Sequence, residues 1–179
     1  DLVFDGGSII CDREGGLLWE LSGMSTLTAP SPFTSHGLVY ISSGYPGGQL
    51  RPVYAIQPGA VGDISIYTDV EGGLREGFPG TRTYSSDDHV VWSYPLLGTY
   101  NTTALVYEDI YYTLLDRGFL TAHDARTGEE LWRYNTGAGV FASPAVYMVN
   151  GEEFVTVASG GGDRGRRGGD LILSFALPP

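Results

Sequence analysis

Each of the three tryptophans of this chain, Trp19, Trp92 and Trp132, opens a short apolar strand, and each is followed downstream by a small-residue pair that opens the next one. The pairs are Ser31-Pro32, Thr103-Ala104 and Ser143-Pro144. This recurrence constrains the fold more than any single residue. A short unit that repeats cannot bury its apolar face alone and must stack on a copy of itself.

The clearest copy fixes the reading of the others. Gly118-Phe119-Leu120-Thr121-Ala122-His123-Asp124 is a predicted strand, Ala125-Arg126-Thr127-Gly128 a turn, and Glu130-Leu131-Trp132-Arg133-Tyr134 the returning strand. The Asp124 carboxylate is suited to cap the turn, and Gly128 to supply the positive φ it needs. Residues 142–149 make the next predicted strand, Asn150-Gly151 is a strong hairpin signal, and Glu153 to Ala158 pair back from it. Ile9-Ile10-Cys11-Asp12, Tyr54-Ala55-Ile56-Gln57 and Phe175-Ala176-Leu177-Pro178 line up with Thr121-Ala122-His123-Asp124. Trp92 and Trp132 are 40 residues apart, whereas Trp19 and Trp92 are separated by 33 more than that. The surplus, Pro58 through Asp88, is rich in Gly, Asp, Glu and Ser and reads as an excursion from one unit.

Four-stranded antiparallel units of about 40 residues are the signature of a β-propeller, in which each sheet is one blade. The predicted fold class is all-β: a partial β-propeller of about three and a half four-stranded antiparallel blades, where propellers typically have four to eight. The single segment 1–179 divides into a blade remnant at 2–20, a blade at 28–94 with the inserted loop 58–88, a blade at 101–134 and a last blade at 142–176. The first remnant lacks an innermost strand and the last blade an outermost one, so the two ends do not complete each other. The expectation is a larger ring, with association of several copies as the other way to cover open edges.

Composition narrows the partners. A formal charge of −11 and a pI near 4.4, with no lysine among ten basic residues, argue against a nucleic-acid backbone. No stretch approaches the roughly 20 apolar residues of a membrane span. No basic-then-apolar leader opens the chain, so the expectation is that a leader has been removed or that residues precede Asp1. Cys11 is the one cysteine, which excludes an intrachain disulfide.

The segment Ala122-His123-Asp124-Ala125-Arg126-Thr127-Gly128-Glu129-Glu130-Leu131-Trp132 resembles the tryptophan-docking repeat of quinoprotein dehydrogenases and related pyrroloquinoline-quinone (PQQ)-like propellers. Asp12 to Trp19 repeats it one residue shorter, and the copy around Gln57 has lost the Asp and the tight turn. The resemblance implies structural roles for Trp19, Trp92, Trp132, Asp12, Asp124, Thr127 and Gly128, with each indole packed between blades. The ending, from Leu131-Trp132-Arg133-Tyr134-Asn135-Thr136-Gly137 to Phe175-Ala176-Leu177-Pro178, resembles the C-terminal end of quinoprotein alcohol dehydrogenases, where a strand from the mature N-terminus finishes the final blade. The middle, with Tyr54-Ala55-Ile56-Gln57-Pro58-Gly59-Ala60, is similar to secreted bacterial PQQ-like repeat proteins.

Such a dehydrogenase needs a base, usually Asp, and a Ca²⁺ held by carboxylate and amide oxygens. In the family these groups, and a disulfide between adjacent cysteines, lie in blades that do not match this segment, so no catalytic residue and no metal ligand is assigned here. No cofactor is assigned to this segment; PQQ and calcium belong, if anywhere, to the rest of the complete protein. Arg164, Arg166 and Arg167, in the run from Ser159 to Asp170, are the candidate cofactor contacts, because PQQ carries three carboxylates and Arg binds them in pairs; the other reading is a solvated hairpin loop. Asp69, Glu71, Asp87, Asp88 and His89 match no calcium-loop spacing, and acidic surface loops are common. His123 reads as a semi-buried structural histidine.

The expected function is a PQQ-like propeller module of an exported bacterial protein, periplasmic or extracellular by the resemblance. It binds or scaffolds without catalytic residues of its own, and its partners are remaining blades or other proteins. The alternative is the C-terminal part of a PQQ-dependent dehydrogenase acting on alcohols or sugars.

Overall fold

The computed structural model describes residues 2–4, 7–25, 27–47, 50–68, 83–84, 87–162 and 168–176. Among them every regular element is a strand, and the strands fall into two compact units, 1–100 and 101–179. Glycine and proline interrupt the chain too often for a helix of normal length, while alternation of apolar and polar residues is preserved between them.

In the first unit, β1 (Leu2–Phe4), β2 (Gly7–Cys11) and β3 (Leu17–Ser22) form an antiparallel meander. A second, four-stranded antiparallel sheet runs β4 (Phe33–Ser35), β5 (Leu38–Ser42), β6 (Val53–Ile56) and β10 (Val90–Tyr94) in spatial order. The two sheets share a core in which Trp19, Leu21 and Met24 meet Ile41, Tyr54 and Ile56. On β3 the alternate residues Trp19 and Leu21 face inward, whereas β6 is buried along its whole length because both of its faces are covered. Each such side chain contributes about 1.5–3 kcal/mol by leaving water.

The segment expected as a plain excursion begins as a strap. Within it, β7 (Gly62–Asp63) pairs parallel to β3, Trp19 opposite Gly62 and Glu20 opposite Asp63. The Ile64 amide donates to the Glu20 carbonyl at 3.0 Å, and the Ser22 amide to the Ser65 hydroxyl at 2.7 Å. Ala60, Ile64 and Ile66 enter the core beside Trp19 and Leu21. The strap therefore gives the first sheet its fourth strand and covers an edge that would otherwise be open. β8 (Tyr67–Thr68) and β9 (Thr83–Tyr84) continue it as a short ladder; residues 69–82 and 85–86, with Asp69 and Glu71 among them, lie outside the described residues.

In the second unit, β11 (Leu105–Tyr107), β12 (Ile110–Leu115), β13 (Phe119–Asp124) and β14 (Glu130–Asn135) form a four-stranded antiparallel sheet. β15 (Ala145–Val149), β16 (Glu152–Ser159) and β17 (Leu171–Ala176) form a three-stranded one. Tyr112, Leu114, Leu120 and Ala122 of the first pack with Val155 and Val157 of the second, and Leu173 and Phe175 flank them. The β4–β5, β11–β12 and β15–β16 hairpins each turn on two residues. Asn150-Gly151 has both φ values positive, at 52° and 84°, as an Asn-Gly type I′ turn requires, and His36-Gly37 matches it at 53° and 74°. The architecture is all-β, built of four-stranded sheets as expected, and the described residues end in a sheet of three strands.

Candidate functional site

The residues that carry the repeat motif come together at the turns that lead into the tryptophan-bearing strands β3, β10 and β14. At the clearest of these, Asp124 Oδ1 accepts the amides of Arg126 (2.9 Å) and Thr127 (2.7 Å) and the Thr127 hydroxyl (2.9 Å). The Thr127 amide, followed by the other donors, holds the Asp124 carboxyl below its ordinary pKa. Gly128, at φ 77°, donates its amide to the Asp124 carbonyl at 2.8 Å, and the Asp124 amide returns to the Glu129 carbonyl at 2.9 Å. The shorter copy reproduces this with fewer residues. Asp12 Oδ1 accepts the amides of Glu14 (3.0 Å) and Gly16 (2.7 Å), the Asp12 amide reaches the Gly16 carbonyl at 2.9 Å, and Gly15 takes the positive φ of 86°.

The copy at Gln57 keeps the same closure although 31 residues part its halves. The Gln57 amide donates to the His89 carbonyl at 2.8 Å, and its side-chain amide to the Asp88 carbonyl at 2.8 Å. Asp87 Oδ1 accepts the His89 amide at 2.8 Å and lies 3.2 Å from His89 Nδ1. Asp87 thus supplies the carboxylate that the sequence shows missing at Gln57. Of the acidic group read from the inserted loop, Asp87, Asp88 and His89 are engaged in closing this turn. Among the described residues no three His, Cys, Asp or Glu side chains converge as a metal site would need.

In all three copies the carbonyl that closes the turn belongs to the residue three before the tryptophan, and a β-bulge follows. The register skips Leu18, Val91 and Leu131, which are 40, 44 and 49% exposed, and turns the next residue, Trp, back onto the sheet face. Their sequence signal is an apolar residue directly before each Trp, out of phase with alternation. Trp19 and Trp92 are buried, and Trp92 lies 5.9 Å from the Tyr40 ring. Trp132 is only partly buried, tilted against Phe175 at 5.6 Å, with Tyr134 edge-on to the same ring at 4.7 Å.

His123 is fully buried, 3.1 Å from the Gly128 carbonyl through Nδ1 and 3.1 Å from the Thr121 hydroxyl through Nε2. Desolvation outweighs the pull of Glu130 and the Gly128 carbonyl and lowers its pKa, so the ring is neutral and braces the turn. Because the ring titrates at its ordinary value in the unfolded chain, its contribution to stability falls as pH drops below that value. The Tyr112 phenol donates to Glu153 at 3.1 Å, and burial raises both pKa values, with the Glu108 carboxylate adding to each.

Arg164, Arg166 and Arg167 lie outside the described residues, as does all of 163–167. The base of their loop is described. The amides of Gly160 (3.2 Å) and Gly161 (2.8 Å) donate to the Gly139 carbonyl, and the Ser159 hydroxyl donates to Thr136 Oγ1 at 2.9 Å. A Cβ on Gly161 would meet the Phe141 ring at 2.4 Å, so a side chain there would displace that ring. The side chains assembled here can hold turns, aim indoles and present apolar residues on outer strands.

No family model matches the chain. Among curated proteins it is 34% identical over 97 residues to the quinoprotein alcohol dehydrogenase PedH of Pseudomonas putida, across 47% of this chain and 16% of that protein. It is 28% identical over 172 residues to a lupanine 17-hydroxylase (cytochrome c) of a Pseudomonas species, across 84% of this chain and 23% of the relative. The chain thus spans less than a quarter of either relative. Among solved structures, BamB from Moraxella catarrhalis aligns with a TM-score of 0.53 at 16% identity, over 87% of this chain and 38% of that one. The quinohemoprotein alcohol dehydrogenase of Comamonas testosteroni aligns at 0.51 and 17% identity, over 98% of this chain and 31% of that one. At such identities the structural likeness speaks for the fold.

Proposed function

We propose that this chain, which belongs to the superfamily of PQQ-like β-propeller repeat proteins, is a binding or scaffolding module of an exported bacterial protein and carries no catalytic group of its own. One observation carries the reading: the polar residues that define the repeat are spent on architecture. Asp12 and Asp124 cap turns, Thr127 and Gly128 complete one, His123 braces it from beneath, and Asp87 substitutes at the third. Beside charged residues such as Glu20, Glu130 and Arg133, the outer strands each present an exposed apolar residue, Leu18, Val91 and Leu131, which suits contact with another protein. Remaining blades or separate proteins are the partners, and the periplasm or the extracellular space is the location. No described helix is long and apolar enough to cross a membrane.

A second reading, the C-terminal part of a PQQ-dependent dehydrogenase of alcohols or sugars, is favoured by the names of the sequence relatives, which are quinoprotein dehydrogenases. In it, PQQ and calcium would be held largely by the rest of the protein. Among the described residues no three His, Cys, Asp or Glu side chains converge to fit a calcium ion. The readings part on turnover. The full-length protein, supplied with PQQ, Ca²⁺ and a panel of alcohols and aldoses, is expected to leave an artificial electron acceptor oxidised; substrate-dependent reduction of the acceptor would establish the dehydrogenase.

A further inference from the structure

We infer that the outer edge of β14 is a strand-acceptor site for a partner protein, taking in parallel register an extended segment that is basic on its N-terminal side and apolar at alternate positions after it. The inference rests on the scaffolding reading and names where the partner binds.

The chain itself shows what such an edge accepts. β3 and β14 are the same strand of the repeat: Trp19 stands opposite Ile10 and Trp132 opposite Ala122, the bulge falls just before each, and the register carries Glu20 onto Arg133, Leu21 onto Tyr134 and Ser22 onto Asn135. On β3 the outer edge is taken by the strap, parallel, through Gly62 and Asp63 beside Trp19 and Glu20. Ile64 and Ile66, two and four residues past Gly62, then join Trp19 and Leu21 in one core cluster. Leu21 is 1% exposed there. On β14, which has no strand beyond it among the described residues, the matching Tyr134 is 42% exposed and Trp132 is only partly covered. A strap-like segment on β14 would place its alternate apolar residues beside Trp132, Tyr134 and Phe175, as the isoleucines lie beside Trp19 and Leu21. Main-chain hydrogen bonds to an edge give affinity, and alternate side chains give selectivity.

Charge sets the polarity of the occupant. β14 starts at the turn that holds Asp124, Glu129 and Glu130, with Asp109 of the β11–β12 hairpin brought against it by the Ala125 amide; against these carboxylates stand Arg126, paired with Asp109, and Arg133, paired with Glu130. A parallel segment enters at this end, so the surplus of carboxylates faces its N-terminal flank and favours basic residues there.

The probe is a fluorescein-labelled peptide with two arginines preceding the sequence of residues 58–66, titrated with the full-length protein by fluorescence anisotropy. Saturable binding is expected, weakened about tenfold or more by Tyr134→Glu or Leu131→Glu, by replacing the two arginines with glutamates, and by raised salt. Leu131 stands exposed at the bulge, so Leu131→Glu keeps the fold even where Tyr134→Glu loosens the contact with Phe175; Val149→Glu, exposed on the other sheet, serves as the control that leaves binding unchanged. Absence of binding, or binding indifferent to Tyr134→Glu and Leu131→Glu, would overturn the site. Self-association of the protein abolished by Leu131→Glu would make a second copy the occupant and overturn it equally. Quinone-dependent turnover by the same preparation removes the scaffolding reading whatever the peptide does, whereas silence in both assays removes the edge site alone.

Discussion

Trp19→Ala is expected to lower the unfolding free energy by about 3–5 kcal/mol, and Trp132→Ala by roughly half as much. The two indoles occupy the same position of the repeat, so the difference tests packing rather than residue type. Trp19 lies inside a cluster bounded by Leu21, Met24, Ile41, Tyr54 and Ile56 and closed on its outer side by Ile64 and Ile66 of the strap. Removing it leaves a cavity with walls on every side that has little room to collapse. Trp132 rests mainly on Phe175 and keeps part of its surface in water, so the transfer term is smaller and water fills the space left. Urea denaturation of the two variants reads both numbers. Equal losses would mean that Trp132 is covered as deeply as Trp19 in the full-length protein. A Trp19→Ala loss below about 1 kcal/mol would remove the docking role of the repeat tryptophan.

Gly118→Ala is expected to cost about 2–4 kcal/mol, through backbone conformation and collision together. Gly118 sits at φ 90°, and a Cβ there would lie 2.0 Å from the Ala138 carbonyl oxygen and 2.9 Å from Thr136 Oγ1. Neither neighbour is at liberty to retreat: the Thr136 amide and hydroxyl both reach the Gly118 carbonyl, at 2.7 and 3.0 Å, and the Gly118 amide reaches the Leu115 carbonyl at 2.8 Å. Gly137 makes the comparison, since its φ of 84° is similar but a Cβ would meet nothing within 4 Å. Gly137→Ala therefore carries only the conformational cost of about 1–2 kcal/mol. Thermal melts of the pair separate the two contributions, and coincident melting temperatures would contradict the close approach at Gly118.

What was legible in the sequence was local. Asp124 to Gly128 and Asp12 to Gly16 could be read as turns because donor, acceptor and positive-φ glycine lie within five residues, and Asn150-Gly151 because its turn type demands those two residues. The strap was not legible. Its pairing with β3 is parallel and two residues long, its Gly62-Asp63 has the composition of a turn, and its partners are some 40 residues away in sequence. Asp87 escaped for the same reason, since its role at the Gln57 turn depends on a closure across the whole insertion. The exposure of Trp132 could not be read either, because burial of a repeat residue is set by the neighbouring sheet, and the sheet beside it has three strands. The arginines at 164, 166 and 167 stood out by composition, which says nothing of where a loop points, and they lie outside the described residues.

We propose that this segment holds a propeller together and binds partners rather than a quinone. The most direct measurement is an equilibrium titration of the full-length protein with PQQ in the presence of Ca²⁺, followed by quenching of tryptophan fluorescence. No saturable binding is expected. Stoichiometric binding that disappears when Arg164, Arg166 and Arg167 are replaced by alanine would contradict the claim and place the chain in a quinone site.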